Sequence, residues 1–169
     1  MMARGLRWVP LPLLVLLADW ASKAWVLRNL REHESWTVIQ GFLNLSLGFN
    51  PGAIFGSLQG APSFWRSALF TVAGVVALGY FGYEFLKRET PRPQRVSLGL
   101  ILGGILGNGL DRILHGAVVD FIDIVLWGWH YWTFNLADSA IVCGAVLLGI
   151  NLLRSSRNAA PEVPEEGAK

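Results

Sequence analysis

The segment Gly116-Ala117-Val118-Val119-Asp120-Phe121-Ile122-Asp123-Ile124 places carboxylates against long apolar runs, and Phe134-Asn135-Leu136-Ala137-Asp138-Ser139 repeats this arrangement further along the chain. A carboxylate next to a lipid bilayer is costly in free energy unless it is paired, hydrated or used. Asp120 and Asp138 therefore need an explanation, and the rest of the chain indicates what brings them together.

The composition is that of an integral membrane protein. Of the 169 residues, 53% are hydrophobic and only 15% are charged, and the mean hydropathy is +0.43. A soluble domain carries about 25% charged residues. The net charge of +2 is small, and the basic residues form no single patch, so the sequence gives no support to a nucleic-acid partner.

Four segments are long and apolar enough to cross a bilayer as helices, which takes about 20 residues each. They run from about Leu6 to Leu27, Phe64 to Leu86, Val96 to Leu114 and Asn135 to Leu153. We interpret the first as an uncleaved span, because no small-x-small cleavage site follows it and Asp19 and Lys23 stand where one would lie. A cleaved signal peptide is the alternative. The single cysteine, Cys143, lies in the fourth span and is interpreted as a small packing residue.

Basic residues mark one side of the membrane. They are Arg4 and Arg7 before the first span, Lys87, Arg88, Arg92 and Arg95 between the second and third, and Arg154 and Arg157 after the fourth. The positive-inside rule predicts that these places, and hence both termini, are cytoplasmic. The two remaining connections, one of which carries Asp120, are then expected on the outer face.

The connections predict further structure. Alternation from Thr37 to Phe49, punctuated by glycines, predicts a small β element on the outer face, which turns at Asn50-Pro51-Gly52. Residues 159–169 are acidic and rich in proline, which predicts a disordered cytoplasmic tail. We therefore expect a mainly α membrane fold of four transmembrane helices, with a small β element and a short helix or loop on the outer, periplasmic face, and residues 1–158 as a single transmembrane domain.

Polar residues within the spans are candidates for function. Asp19 and Lys23 are four residues apart on one helix face, which favours an ion pair inside the span. Asn108 and Arg112 share a face near the outer end of the third span. An arginine there needs either a carboxylate, for which Asp111 is the neighbour, or the carbonyl group of a substrate.

Asn135 and Asp138 have the spacing of a helix N-cap and its third residue. The cap does not explain Asp120 on the neighbouring outer segment. Two adjacent carboxylates cannot both ionise cheaply, so one retains a proton and the pair titrates as a unit. Aspartic proteases use this arrangement, in which one carboxylate takes a proton from water and the other polarises the scissile carbonyl. Asp123, by contrast, can simply be solvated.

Other site chemistries receive less support. No His and Cys cluster has the spacing of a metal site, the serines lack a His–Asp partner, and the glycines match no phosphate-binding loop. We expect neither a metal nor a cofactor. Gly99, Gly103 and Gly107 recur every fourth residue, which predicts a thin helix face for close packing in lipid.

Five ordered motifs resemble those of lipoprotein signal peptidase, also called signal peptidase II. They are Asp19-Trp20-Ala21-Ser22-Lys23, Asn50-Pro51-Gly52-Ala53-Ile54-Phe55, Gly107-Asn108-Gly109-Leu110-Asp111-Arg112, Val118-Val119-Asp120-Phe121-Ile122-Asp123 and Phe134-Asn135-Leu136-Ala137-Asp138-Ser139. The family is a bacterial inner-membrane aspartic endopeptidase that cuts prolipoproteins immediately before the lipid-modified cysteine. Trp20 and Ile54 depart from the residues usual in the family, Gln and a small residue.

The resemblance implies roles for individual residues. Asp120 and Asp138 would be the catalytic pair, with Asp19 and Lys23 in support. The residues that bind substrate or order the aspartates would be Asn50, Asn108, Arg112 and Asn135. Gly52 to Phe55 would belong to a loop that covers the substrate. The implied partners are a diacylglyceryl-modified prolipoprotein, membrane lipids and cyclic peptide inhibitors of the globomycin type.

One alternative is a small transporter or channel subunit. Its ion path would be lined by the charges within the spans, Asp19, Lys23, Asp111 and Arg112. The chain shows neither an inverted repeat nor a pair of broken spans, which such proteins often have.

Overall fold

The computed structural model describes residues 3–52 and 63–158. Its elements, in chain order, are α1 (Ala3–Leu6), α2 (Pro10–Asn29), β1 (Ser35–Ile39), β2 (Leu43–Asn50), α3 (Ser63–Leu86), α4 (Arg92–His115), β3 (Val118–Leu126), β4 (Trp129–His130) and α5 (Leu136–Asn158). Within the described residues, α2, α3, α4 and α5 are long and apolar enough to cross a membrane. The prediction of four spans and a small β element is therefore confirmed, with the helix ends shifted by several residues. The expected short helix or loop is wrong, because Val118–Leu126 pairs with β2 as a strand.

Helix α4 is the centre of the bundle, because it packs against the other three long helices. Its glycines make this possible. A Cβ atom on Gly103 would lie 2.5 Å from Cβ of Val15, and one on Gly107 would lie 2.5 Å from a carboxylate oxygen of Asp19. Any side chain at these positions would force α2 and α4 apart, so the glycine face predicted from the sequence is a close helix contact.

The four strands form one antiparallel sheet in the order β1-β2-β3-β4. Strand β2 pairs with β3, so that Asn50 lies opposite Val118 and Gly48 opposite Asp120, with an irregularity between Leu45 and Gly48. One face of the sheet packs on the end of α2, where a small core is buried. That core consists of Val26, Leu30, Leu47, Val119 and Phe121.

This topology gathers the polar motifs at one end of the bundle. Strand β3 begins three residues after α4 ends, and Phe134, just before α5, pairs with Ile122 of β3. The end of α4, the first half of β3 and the start of α5 therefore meet. The predicted acidic tail at residues 159–169 and the predicted loop residues 53–55 lie outside the described residues.

Candidate active site

Asp120 is the most buried member of the proposed pair, with 2% of its surface exposed. Strand β3 directs it towards α5, and both carboxylate oxygens accept hydrogen bonds from side-chain amides. Asn50 at the end of β2 donates to Oδ2 across 3.0 Å, and Asn135 donates to Oδ1 across 2.8 Å. Two predicted site residues from distant parts of the sequence are thus brought onto the same carboxylate.

Asp138 lies in the first turn of α5 and is partly exposed. Its backbone N–H donates to Oδ1 of Asn135 across 2.8 Å, and its Oδ2 accepts the backbone N–H of Asn135 across 3.3 Å. This reciprocal pair is a capping box, which satisfies two backbone N–H groups at the helix start. Asn135 therefore caps α5 with its carbonyl oxygen while its amide nitrogen contacts Asp120.

Asn108 connects the pair to the interior of the bundle. Its Nδ2 donates to Oδ1 of Asp138 across 2.7 Å, and its Oδ1 accepts from Nδ2 of Asn135 across 3.1 Å. It also accepts from Nζ of Lys23 across 3.2 Å. Because an ammonium group can only donate, this contact assigns the oxygen of the Asn108 amide to Lys23 and the nitrogen to Asp138.

The surroundings of Asp120 favour its neutral form. Burial is the largest cause that raises the pKa of Asp120 from the usual 3.8 to about 7, and the charge of Asp138 also raises it. The hydrogen bonds from Asn50 and Asn135 act in the opposite direction. A carboxyl group with a pKa close to neutral pH, beside a second carboxylate, is suited to general acid and base chemistry.

Three charged side chains form a buried cluster beneath the pair. Nζ of Lys23 lies 2.7 Å from Oδ2 of Asp19 and 2.7 Å from Oδ2 of Asp111. The predicted ion pair of Asp19 and Lys23 is confirmed. The alternative pairing of Asp111 with Arg112 is wrong, because Asp111 turns towards Lys23 on α2.

Arg112 instead lies on the side of the site that faces α3. Its Nη1 donates to the backbone carbonyl of Asn108 across 3.1 Å, and its guanidinium lies 5.6 Å from the ring centre of Phe70. Its buried Nε has no hydrogen-bond partner among the described residues.

Phe70 also contacts Gly52, the predicted site residue that follows Asn50. Gly52 is buried, has a φ of +103°, and lies so close to the ring that a Cβ atom there would be 2.6 Å from Cδ2 of Phe70. Its backbone N–H donates to Oδ1 of Asn50 across 2.9 Å. Phe70 therefore packs against both the turn that carries Asn50 and the guanidinium of Arg112.

Asp123 is buried rather than solvated, contrary to the sequence-based expectation. It accepts from Asn44 on β2 across 3.1 Å, and Nδ1 of His130 on β4 lies 2.9 Å from its Oδ2. These partners lie on neighbouring strands, so Asp123 ties β3 to both sides of the sheet.

Sequence reasoning missed the contributions of Asp111 and Phe70. Counting the charges inside the spans could have found the first, since Lys23 and two aspartates require mutual pairing in a low-dielectric setting. No sequence signal distinguishes Phe70 from the other aromatic residues of α3. No group of His, Cys, Asp and Glu in the described ranges has the arrangement of a metal site.

Comparisons with known proteins find relatives that match most of the chain. A family model described as signal peptidase (SPase) II matches residues 11–154. A lipoprotein signal peptidase of Burkholderia vietnamiensis is 43% identical over 150 residues, which are 89% of each chain. Another, from Polynucleobacter necessarius, is 44% identical over 152 residues, covering 89% of this chain and 91% of its own.

Two solved structures described as bacterial membrane enzymes share the fold. One has a TM-score of 0.79 and 31% sequence identity, and the match covers 93% of this chain and 94% of the other. The second has a TM-score of 0.76 and 32% identity, with coverage of 88% and 93%.

Proposed function

Because this chain belongs to the signal peptidase II family, which removes signal peptides from prolipoproteins, we propose that it does so with Asp120 and Asp138 as an aspartic pair. The observation that supports this most directly is Asn135, which contacts Asp120 with its amide nitrogen and caps Asp138 with its oxygen. One residue thereby connects the two carboxylates, since the backbone N–H of Asn135 also donates to Oδ2 of Asp138.

The surroundings of the pair favour a division of roles. Asp120 is buried, and its pKa, raised to about 7, allows it to hold a proton up to about neutral pH. Asp138 is partly exposed, accepts from Asn108 and lies at the N-terminus of α5, where the helix dipole favours a negative charge. We therefore assign Asp138 as the base at rest and Asp120 as the acid.

The chemistry then follows the two-carboxylate scheme. Asp138 removes a proton from water as the water oxygen bonds to the scissile carbonyl carbon, and the proton of Asp120 stabilises the developing oxyanion. Collapse of the tetrahedral intermediate breaks the C–N bond while the proton from water passes to the leaving nitrogen. The products are a signal peptide with a free carboxylate and a lipoprotein whose lipid-modified cysteine carries a new amino group.

Arg112 is the proposed substrate-binding cation. Its unpartnered buried Nε and its position above Phe70 leave N–H groups that can bind a backbone carbonyl of the signal peptide. Asn50, Asn108 and Asn135 order the aspartates.

The proposed topology places the site at the outer membrane face with both termini in the cytoplasm. The site lies at the α4–β3 and α5 junctions, whereas the basic residues that precede α4 lie at the opposite end of that helix. Membrane lipids and the diacylglyceryl group would contact the exposed apolar helix faces, and globomycin-type peptides would compete for the site.

The transporter alternative is not supported. Asp19, Lys23 and Asp111 are buried and bind one another, so they form a closed cluster and do not line an ion path.

The test is cleavage of a diacylglyceryl-modified prolipoprotein in detergent or liposomes. We expect cleavage by the wild type and near-complete loss in both Asp120→Asn and Asp138→Asn, with the fold intact, because the pair acts as a unit. Asp123→Asn is the matched control, since it changes a buried aspartate on the same strand. Strong cleavage by either of these two single variants would contradict the proposal.

A further inference from the structure

We infer that Asp19 and Asp111 are positioning residues, which set the separation of the two reacting carboxylates by holding the backbone immediately before each of them. This inference rests on the proposed function of Asp120 and Asp138. In the part of the chain that the structure describes, neither Asp19 nor Asp111 is hydrogen-bonded to a reacting carboxylate, so each acts through the backbone.

The two contacts mirror each other. Oδ1 of Asp19 accepts the backbone N–H of Ala137, the residue before Asp138, across 2.9 Å. Oδ2 of Asp111 accepts the backbone N–H of Val119, the residue before Asp120, across 3.0 Å. Ala137 and Val119 both have 0% of their surface exposed, so water cannot replace either acceptor.

Lys23 joins the two anchors. Its ammonium group lies 2.7 Å from a carboxylate oxygen of each aspartate. The ammonium group of Lys23 thus fixes the distance between the two backbone anchors. It also donates to the side-chain oxygen of Asn108, which leaves the amide nitrogen of Asn108 to bind Asp138. Helix α2, which supplies no reacting group, thereby determines the geometry between β3 and α5.

Stability alone does not account for such a cluster. Replacing buried ion pairs by well-packed apolar residues is often neutral or stabilising, because desolvation offsets much of the attraction. The close approach of α4 at Gly107, which leaves room for the carboxylate of Asp19, is a further requirement. Positioning explains both features, since a misplacement of about 1 Å in an active site can lower the rate on the order of 100-fold.

The test compares two substitutions at each anchor. Asp111→Asn keeps an oxygen that accepts the N–H of Val119, whereas Asp111→Ala removes it, and both leave the neutral pair of Lys23 and Asp19. We expect kcat to fall only a few-fold in Asp111→Asn and on the order of 100-fold in Asp111→Ala, with KM nearly unchanged. Asp19→Asn and Asp19→Ala should show the same contrast through Ala137.

Each variant is purified as a monodisperse fraction and assayed well below its melting temperature. Folded Ala variants with wild-type kcat would overturn the inference, as would Asn and Ala variants with equal losses of kcat. If neither Ala variant folds while both Asn variants do and retain full kcat, the anchors are structural and the inference is also overturned. Failure of the proposed function is distinguishable, because Asp120→Asn would then remain active.

Discussion

Asn135 and Asp120 are joined by a hydrogen bond of 2.8 Å from Nδ2 to Oδ1, and Asn135 has no exposed surface. The same asparagine begins α5 as its cap, through Oδ1 and the N–H of Asp138. The start of α5 and the position of the Asp120 carboxylate therefore both depend on the side chain of Asn135. Its two contributions can be separated by substitution.

We predict that Asn135→Ser and Asn135→Ala lose kcat to a similar extent but differ in stability. Serine is a good N-cap and retains that contact, but it is too short to reach Asp120; alanine loses both. The melting temperature should therefore be higher for serine, by an amount equivalent to about 1 kcal/mol. Thermal unfolding and cleavage kinetics on the same preparations test this. Equal stability of the two variants, or full activity of either, would contradict it.

The folding stability should depend on pH through Asp120. Its pKa is raised from 3.8 to about 7, so the native state binds a proton that the unfolded state releases. The resulting stabilisation is fully present below about pH 4 and is lost as the pH rises through 7. The upper bound is about 4 kcal/mol, at 1.36 kcal/mol for each pKa unit.

Asp120→Asn should abolish this loss. We expect the variant to become more stable than the wild type as the pH is raised from 4 to 8, as measured by melting temperature across that range. Asp138→Asn is the second comparison. Removing the charge of Asp138 lowers the pKa of Asp120, so the loss of folding stability should occur at lower pH. Parallel melting curves for the wild type and Asp120→Asn would show that Asp120 does not titrate in this range.

Cleavage should decline on the basic side with an apparent pKa of about 7. Above it Asp120 loses the proton that stabilises the oxyanion. The decline belongs to the coupled pair, so kcat/KM measured from pH 5 to 9 reports a macroscopic value. A rate that stays constant up to pH 9 would assign the acid role elsewhere.

Much of this arrangement was predictable because it rests on local patterns. The spans follow from apolar length, the β element from alternation, and the contact of α2 with α4 from Gly99, Gly103 and Gly107. The pairing of Asp19 with Lys23 follows from their spacing of one helical turn. The candidate pair follows from carboxylates next to apolar runs, and the resemblance of whole motifs adds its catalytic role.

What could not be predicted depends on tertiary contacts. Asp111 pairs with Lys23 on another helix and not with its neighbour Arg112. Asp123 is buried because β2 and β4 cover it. The interpretation of Cys143 as a packing residue is wrong, because Cys143 is exposed on α5. Hydropathy does not distinguish a lipid-facing position from a buried one, because lipid tails and the protein interior are both apolar.

Gly52→Ala should inactivate the protein, whereas Gly41→Ala should not. Both glycines have positive φ, so both substitutions carry backbone strain of about 1–2 kcal/mol. Only at Gly52 would the new Cβ collide with Phe70, whereas nothing lies within 4 Å at Gly41. The collision would displace Asn50 and thus its hydrogen bond to Asp120. Cleavage assays of the two variants at equal folded concentration test this, and equal activity would contradict it.

Arg112→Ala should weaken substrate binding more than it weakens the fold. The guanidinium makes a single hydrogen bond, to a backbone carbonyl, and lies over one ring among the described residues. Its loss therefore removes little native-state stabilisation, whereas a lost charge-assisted hydrogen bond to a substrate carbonyl corresponds to about 1.5–3 kcal/mol. KM should rise on the order of 10- to 100-fold with the melting temperature nearly unchanged.

Two control variants sharpen the test of Arg112. Arg112→Lys should recover only part of the lost substrate binding, because lysine lacks the planar arrangement of donors. Arg88→Ala removes the same charge from an exposed site far from the pair and should leave KM unaltered. A variant at Arg112 that melts earlier but keeps the wild-type KM would instead assign this arginine to the structure of the bundle.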